Sequence, residues 1–172
     1  MNGEARPEGL PKKRPDPFHV FRFHVAFRKD PLAAADPGDE VPLCSGAFAE
    51  CTGLEATMEP KVIKEGGRNY GAAQRAGPVT FATVILKRGM TTTRDLWKWF
   101  ELVSGGGYAY RLAATVTLEN VAGEPMLAWD LRKALPIKFK SADLNAKGTD
   151  IGIEELHIAH EGLERALPKR EG

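Results

Sequence analysis

The residues best suited to chemistry in this 172-residue chain are its four histidines, two cysteines and a few carboxylates. His157 and His160 come closest to a metal pair, because they stand three apart beside Glu161. Residues three apart on a strand face opposite sides, so the pair could share a metal only on a helix. A zinc site also needs a third convergent protein ligand, and none is evident. We therefore expect no metal site.

Nucleophilic chemistry is not indicated either. Cys44 and Cys51 have no histidine nearby in sequence to act as an activating base. They could close a short disulfide loop, but a single pair in a cytosolic chain is more typical of two buried thiols. Glu154 and Glu155 alternate on a strand and so form no paired acid and base. The sequence predicts no catalytic residues and no cofactor, which is to say that this is not an enzyme.

Two glycine-rich runs, Glu65–Gly67 and Gly105–Gly107, resemble phosphate loops only superficially. Neither is followed by Lys-Ser/Thr or set between a strand and a helix, so we interpret both as turns. Lys87 and Arg88 are interpreted as a solvated strand end. Trp97 and Trp99 are interpreted as rim and core aromatics rather than a ligand cage.

Composition narrows the class of partner and the number of domains. The net charge of +1 gives no reason to expect a nucleic acid or an anionic membrane. No apolar run approaches the roughly 20 residues of a membrane span, and the N-terminus lacks the apolar core of a signal peptide. We therefore expect synthesis in the cytoplasm. The predicted organisation is a flexible arm (residues 1–17), one domain (residues 18–166) and a C-terminal tail (residues 167–172).

Alternating apolar residues predict a mainly β fold. The pattern is strict over residues 108–118 and continues in a partner strand over residues 127–139. In the last strand, residues 151–158, the apolar phase changes from odd to even, which predicts a one-residue bulge. Further strands are predicted over residues 18–27, 45–54 and 57–65. The expected fold is an antiparallel β-barrel or sandwich of about seven strands with one short α-helix.

The stretch from residue 79 to residue 103 contains a strand whose two faces must both be covered by other residues. Its strand, residues 79–88, is apolar on both faces and must be covered twice, by its own core and by something else. Phe81 and Ile85 point one way, whereas Ala82, Val84 and Leu86 point the other. In a chain without catalytic residues, another copy of the chain is a natural second cover, and either row could meet it.

The helix that follows is predicted from its spacing. The buried stripe at i, i+3, i+4 and i+7 consists of Leu96, Trp99, Phe100 and Val103. One residue of the run Thr91–Thr93 is expected to cap the helix, with Asp95 near the positive end of its dipole.

Taken together, these segments resemble the tube proteins of contractile phage tails and of extracellular contractile injection systems. The resemblance covers residues 18–166, and the tube protein of type VI secretion is a more distant relative by fold. Its motifs are FxFxV at the first strand, GAFAECTGL (46–54), KEGG (64–67), LKRG (86–89), DLWKWF (95–100), Gly123-Glu124-Pro125 with Trp129, Ala134–Pro136, and EELHIAHEGLERA (154–166).

The resemblance implies hexameric rings that stack into a hollow tube, surrounded by a contractile sheath and driven through a target envelope. It implies assembly in the cytoplasm and a place in a phage-tail-like particle. The implied partners are further copies of the chain, sheath subunits, baseplate hub or spike proteins, tape-measure or terminator proteins, and cargo in the lumen. Neither nucleic acid nor a membrane segment is expected to be needed for assembly.

We assign two predicted interfaces on this basis. Ring closure is predicted to use Phe81, Val84, Ile85, Leu86 and Arg88. Ring stacking is predicted to use the loop 31–43 and the glycine-rich turn, with Leu32, Asp36, Glu65, Gly66, Gly67 and Arg68.

Two departures from the family pattern leave the role within the particle open. The loop 29–44 is longer than the family's usual tight hairpin, and Arg75–Pro78 replaces a frequent Leu-Pro-Gly. The chain could be the repeating tube subunit or a ring near the baseplate that starts the tube. An alternative from another class is a small-molecule-binding β-barrel, favoured only by Trp97, Trp99 and the tyrosines.

Overall fold

The computed structural model describes residues 18–29, 40–41, 48–64, 66–67, 70–106 and 111–166. These residues form twelve strands and one helix, and every strand pair is antiparallel, which confirms the predicted mainly β fold. The elements are β1 (Phe23–Lys29), β2 (Glu40–Val41), β3 (Glu50–Thr52), β4 (Ala56–Met58), β5 (Lys61–Ile63), β6 (Ala73–Arg75), β7 (Val79–Phe81), β8 (Val84–Gly89), α1 (Asp95–Ser104), β9 (Leu112–Glu119), β10 (Pro125–Lys140), β11 (Ile153–Ala159) and β12 (Gly162–Ala166).

The 16-residue strand β10 joins two sheets. Its first part lies between β9 and β12, and its last part pairs with β11, so that the first sheet runs β2-β1-β9-β10-β12 and the second β10-β11-β8-β3. The strand changes register between Leu131 and Ala134, where Lys133 has a φ of 50°. Within the described residues the path of strands ends at β2 and β3 without closing, as in an open sandwich.

The core lies between the inner faces of the two sheets and one face of α1. The edge of the Phe27 ring meets Trp99 with ring centroids 5.4 Å apart, which joins the first strand to the helix. Burying large apolar side chains of this kind contributes about 1.5–3 kcal/mol each. The buried cluster contains Phe27, Phe48, Val84, Leu86, Leu96, Trp99, Val103, Leu112, Ala114, Val116, Leu131, Ala134, Leu156 and Ile158.

The predicted strand over residues 79–88 is in fact two strands in two different sheets. It breaks at Ala82 and Thr83, where Gly53 crosses so closely that a Cβ would lie 2.0 Å from the Thr83 carbonyl oxygen. Gly53 also has a φ of 85°, a conformation that favours glycine. β7 therefore leaves the main body, whereas β8 stays in the second sheet.

The predicted bulge in the last strand is wrong. β11 pairs with β8 without interruption, and the irregularity against β11 lies in β10, between Pro136 and Lys138. The apolar phase changes because Glu154 takes an inward position, while Ile153 is 41% exposed. The chain then continues into β12, which the apolar pattern did not predict.

The helix begins without the predicted threonine cap. Its N-cap residue is Arg94, which makes no side-chain capping hydrogen bond, and the hydroxyls of Thr91 and Thr93 lie 2.6 Å from each other. Leu96, Trp99 and Val103 are buried. Phe100 is only partly buried and packs against Trp97, with ring centroids 5.7 Å apart.

A buried guanidinium connects α1 to the second sheet. Arg88 Nε donates to Glu154 Oε1 at 2.5 Å, and Arg88 Nη1 and Nη2 donate to the two Asp95 oxygens at 3.1 and 2.5 Å. Burial of Arg88 acts to lower its pKa, but the hydrogen bonds and charges of Asp95 and Glu154 outweigh burial and raise the pKa above its usual range. Arg88 is thus not the solvated strand end that the sequence indicated.

Replacing Arg88 should therefore destabilise the chain strongly. Arg88→Met leaves two carboxylates without their cation, and breaking a buried ion pair in this way costs about 3–5 kcal/mol. The free energy of unfolding, measured by urea titration, should fall by that amount.

Two further variants test the cause of this loss. Arg132→Met removes an exposed ion pair with Glu164 and should cost about 1 kcal/mol or less. The double change Arg88→Met with Glu154→Leu also removes the buried carboxylate that the single change strands, so it should cost less than Arg88→Met alone. A loss below about 1 kcal/mol for Arg88→Met would contradict the role assigned to this cluster.

Candidate assembly surfaces

The described residues with potential chemistry do not converge in the structure. His157 faces out of the second sheet, and its Nε2 lies 3.3 Å from Glu155 Oε2. His160 points elsewhere: its Nδ1 lies 3.0 Å from the Gly162 carbonyl oxygen, and its ring packs against Phe81. Glu161 pairs with Arg111 and Lys133. Among the described residues, no group of three or more His, Cys, Asp or Glu could hold a metal ion.

Cys51 is a free thiol on β3 that packs against the core. Burial raises its pKa to about 11, so almost none of it is thiolate at neutral pH. A thiol in this state is a poor nucleophile, because the thiolate is the reactive form. Cys44 lies outside the described residues.

A polar groove of about 270 Å³ lies where β10 and β11 meet the segment between them. Charged side chains of Lys140, Asp143, Asp150 and Glu155 line it. Small-molecule pockets are mostly apolar and enclosed, and neither Trp97 nor Trp99 reaches this groove. Its lining gives no support to the small-molecule alternative.

The described residues between 55 and 82 form a two-stranded arm, whose strands pair only with one another among the described strands. β4 pairs with β7 near the body, and β5 pairs with β6 further out. Between the two pairs the strands stay close, because Gly77 approaches the Glu59 carbonyl oxygen so tightly that a Cβ would lie 1.9 Å from it. Isolated two-stranded ribbons are marginally stable in water, so an arm of this length needs further contacts.

One face of the arm near the body is apolar, and no described residue covers it at Met58 and Val79. Cross-strand partners share a face, which places Ala56 with Phe81 and Met58 with Val79 on one side, and Thr57 with Thr80 on the other. Met58 is 51% and Val79 44% exposed. A contiguous apolar surface of this kind is typical of a protein–protein contact.

The predicted ring-stacking residues lie at the tip of the arm or outside the described residues. Gly66 and Gly67 are exposed at the tip, near Tyr70, which is 95% exposed. Glu65, Arg68, Leu32 and Asp36 are not among the described residues, so this prediction stays untested there.

The predicted ring-closure residues divide into two groups. Val84, Leu86 and Arg88 are buried in the chain's own core, so their side chains are not available to a neighbouring copy. This part of the prediction is corrected, because the alternation of β8 turns those three residues inward. Phe81 and Ile85 are partly exposed and remain candidates. The open apolar surface belongs to the arm, which the sequence pattern did not separate from the sheet.

A model of a known protein family matches most of the chain. The family model described as T4-like virus tail tube protein gp19 matches residues 19–164. No match was found among curated protein sequences. No helix in the described part of the chain is long and apolar enough to cross a membrane.

Solved structures share the fold. A chain in the six-fold symmetrised baseplate of the anti-feeding prophage is 24% identical, with a TM-score of 0.73 over 88% of this chain and 97% of that one. A chain in the sheath-tube complex of an extracellular contractile injection system is 19% identical, with a TM-score of 0.71 over 88% and 93%. A type six secretion system protein is 9% identical, with a TM-score of 0.52 over 84% and 83%. Because the family model matches most of the length of the chain, the chain belongs to the T4-like virus tail tube protein family.

Proposed function

We propose that this protein forms hexameric rings that stack into the hollow inner tube of a contractile injection system or phage tail. The observation that carries the proposal is the arm, whose apolar face at Met58 and Val79 is left uncovered by the residues that the structure describes. Copies of one chain can cover such a face repeatedly through head-to-tail contacts, which build rings and filaments. The work of the protein is then mechanical and requires no catalysis.

Ring closure is proposed to use the open edges of the second sheet together with Phe81 and Ile85. Among the described strands the second sheet ends at β3, and an unpaired edge strand is a template for pairing with another chain. The number six has support from one relative, since the anti-feeding prophage baseplate that contains it was symmetrised six-fold.

Ring stacking is proposed to use the arm. Its tip carries Gly66 and Gly67, and its apolar face carries Met58 and Val79. The segment 31–43 with Leu32 and Asp36, and also Glu65 and Arg68, remain part of this proposed surface, although these four residues lie outside the described ones. An arm that crosses to a neighbouring ring would bury apolar area without disturbing the core, because it is built separately from the two sheets.

The proposed partners follow from the tube. They are further copies of the chain, sheath subunits around the tube, a baseplate hub or spike, tape-measure or terminator proteins, and cargo in the lumen. Among relatives, one comes from a sheath-tube complex and another from a tube-terminating cap. Assembly is proposed to take place in the cytoplasm, within a phage-tail-like particle.

Charges placed on the apolar face of the arm should abolish tube formation. Met58→Glu and Val79→Glu would bury an unpaired carboxylate wherever this face is covered, at a cost of several kcal/mol per contact. Negative-stain microscopy of the purified protein should show tubes or stacked rings for the wild type and neither for these variants.

The chain offers a matched control at the neighbouring positions. Thr57→Glu and Thr80→Glu place the same charge on the same strands but on the opposite face, and should leave assembly intact. All four variants should unfold within about 0.5 kcal/mol of the wild type, because the arm lies outside the core. Tubes that form equally well with Glu at position 58 would remove the arm face from the proposal, and a wild type that stays monomeric under all conditions would remove the tube itself.

A second candidate role is the ring that starts the tube at the baseplate. It is favoured by the relative found in the baseplate structure, which matches this chain about as well as the relative from the sheath-tube complex.

Copy number separates the two roles. A repeating subunit should be present in copies proportional to tube length, whereas an initiating ring has a small fixed number. Quantitative mass spectrometry of intact particles against a sheath subunit should give a ratio near one for the repeating subunit. A fixed ratio far below one would identify the initiating ring.

A further inference from the structure

The outer face of the second sheet carries a row of four charges of alternating sign. Lys140 on β10 stands opposite Glu155 on β11, Glu155 opposite Lys87 on β8, and Lys87 opposite Glu50 on β3. The row therefore crosses all four strands at one level. We call these four residues the charge ladder.

The ladder is electrostatically coupled along its length. Lys87 Nζ lies 3.1 Å from Glu50 Oε1. A hydrogen bond from His157 lowers the pKa of Glu155, and the charges of Lys140 and Lys87 lower it further. Opposite charges on directly opposed residues of antiparallel strands attract each other, so every inner member has a partner on both sides.

The two ends of the ladder are incomplete. Glu50 lies on the edge strand β3 with its side chain 48% exposed. Lys140 is exposed at the other edge and forms no ion pair with any residue that the structure describes. Beyond Ala134, no strand of the described chain lies beside β10 on the side away from β11. The ladder thus ends in a negative charge at one edge and a positive charge at the other.

Strand direction makes the two edges compatible. Each of the three joints in the second sheet is antiparallel, so β3 runs opposite to β10. If β3 of one copy lies beside β10 of the next, the joint is antiparallel like the others. The alternation of charge then also continues, because Glu50 of one copy meets Lys140 of its neighbour.

We propose that Glu50 of one copy and Lys140 of the next form the ion pair that selects the neighbour in the ring, and that the charge ladder becomes a continuous belt around it. This inference rests on the ring of the proposed function and assigns its partner-selecting contact. Charges on edge strands also discourage unspecific pairing. Here the two edges carry opposite signs, which repels like edges and attracts unlike ones.

Charge reversal in separate chains tests the assignment. Glu50→Lys alone and Lys140→Glu alone should each reduce the ring fraction by about tenfold or more, because every joint then brings like charges together. An equimolar mixture of the two variants should restore rings to within about twofold of the wild type. In a ring of alternating chains, Lys at position 50 meets Glu at position 140, and the remaining joints keep the native pair.

Mass photometry at low salt measures the ring fraction, and native mass spectrometry counts the two chains in each ring. The matched control is Lys138→Glu, which changes the same outer face of β10 two residues away and should not restore rings to the Glu50→Lys chain. Thermal unfolding of each variant should stay close to that of the wild type, which excludes misfolding as the cause of a lost ring.

The outcomes separate the inference from the function on which it rests. Wild-type rings with unaffected single variants would overturn the Glu50–Lys140 pair and leave the ring in place. Restoration by Lys138→Glu instead of Lys140→Glu would overturn the assigned pairing. A wild type that forms no rings would overturn the proposed function itself, whatever the variants do.

Discussion

The fold depends on one buried guanidinium. Arg88 is 2% exposed and can remain charged there only because Asp95 and Glu154 both bind it. The three residues belong to β8, α1 and β11, so the requirement to pair this charge fixes the start of the helix against two strands of the second sheet. Arg94 makes no side-chain capping hydrogen bond, and Asp95 in the first turn places its negative charge near the positive end of the helix dipole. The apolar core then fills in around this fixed geometry.

The described residues present two kinds of surface to water, one charged and one apolar. The outer face of the second sheet is charged but compensated, since each inner member of the charge ladder has opposite charges on both sides. Water can cover it at little cost. The arm is different, because Met58 and Val79 expose apolar area that no described part of the chain covers. Covering this face with another protein surface would remove the apolar area from water, and the core need not change when that happens.

Local periodicity predicted those parts of the fold that depend on neighbours in sequence. Residues 112–118 alternate as expected, and Leu96, Trp99 and Val103 lie on the buried face of α1. The predictions were wrong where a residue distant in sequence determines the local structure. Glu154 turns inward to meet Arg88, 66 residues away, and an apolar pattern records this only as an apparent bulge. The break at Ala82 and Thr83 depends on the close passage of Gly53, which no local pattern reveals. For the proposed interfaces, the apolar pattern could not tell the inward residues of β8 from its outward residues.

The break also changes what the apolar stretch from residue 79 onward means. An unbroken strand would need covering on both faces at every position. With the break, β8 has its inner face in the core, and its outer face carries Lys87 in the charge ladder. Most of β8 therefore needs no second covering surface. The strand that needs a covering surface is β7, whose apolar face is continuous with Met58 on β4. One short segment thus begins in the arm and ends in the core, so the packed sheets are joined directly to an apolar face that the described residues leave uncovered.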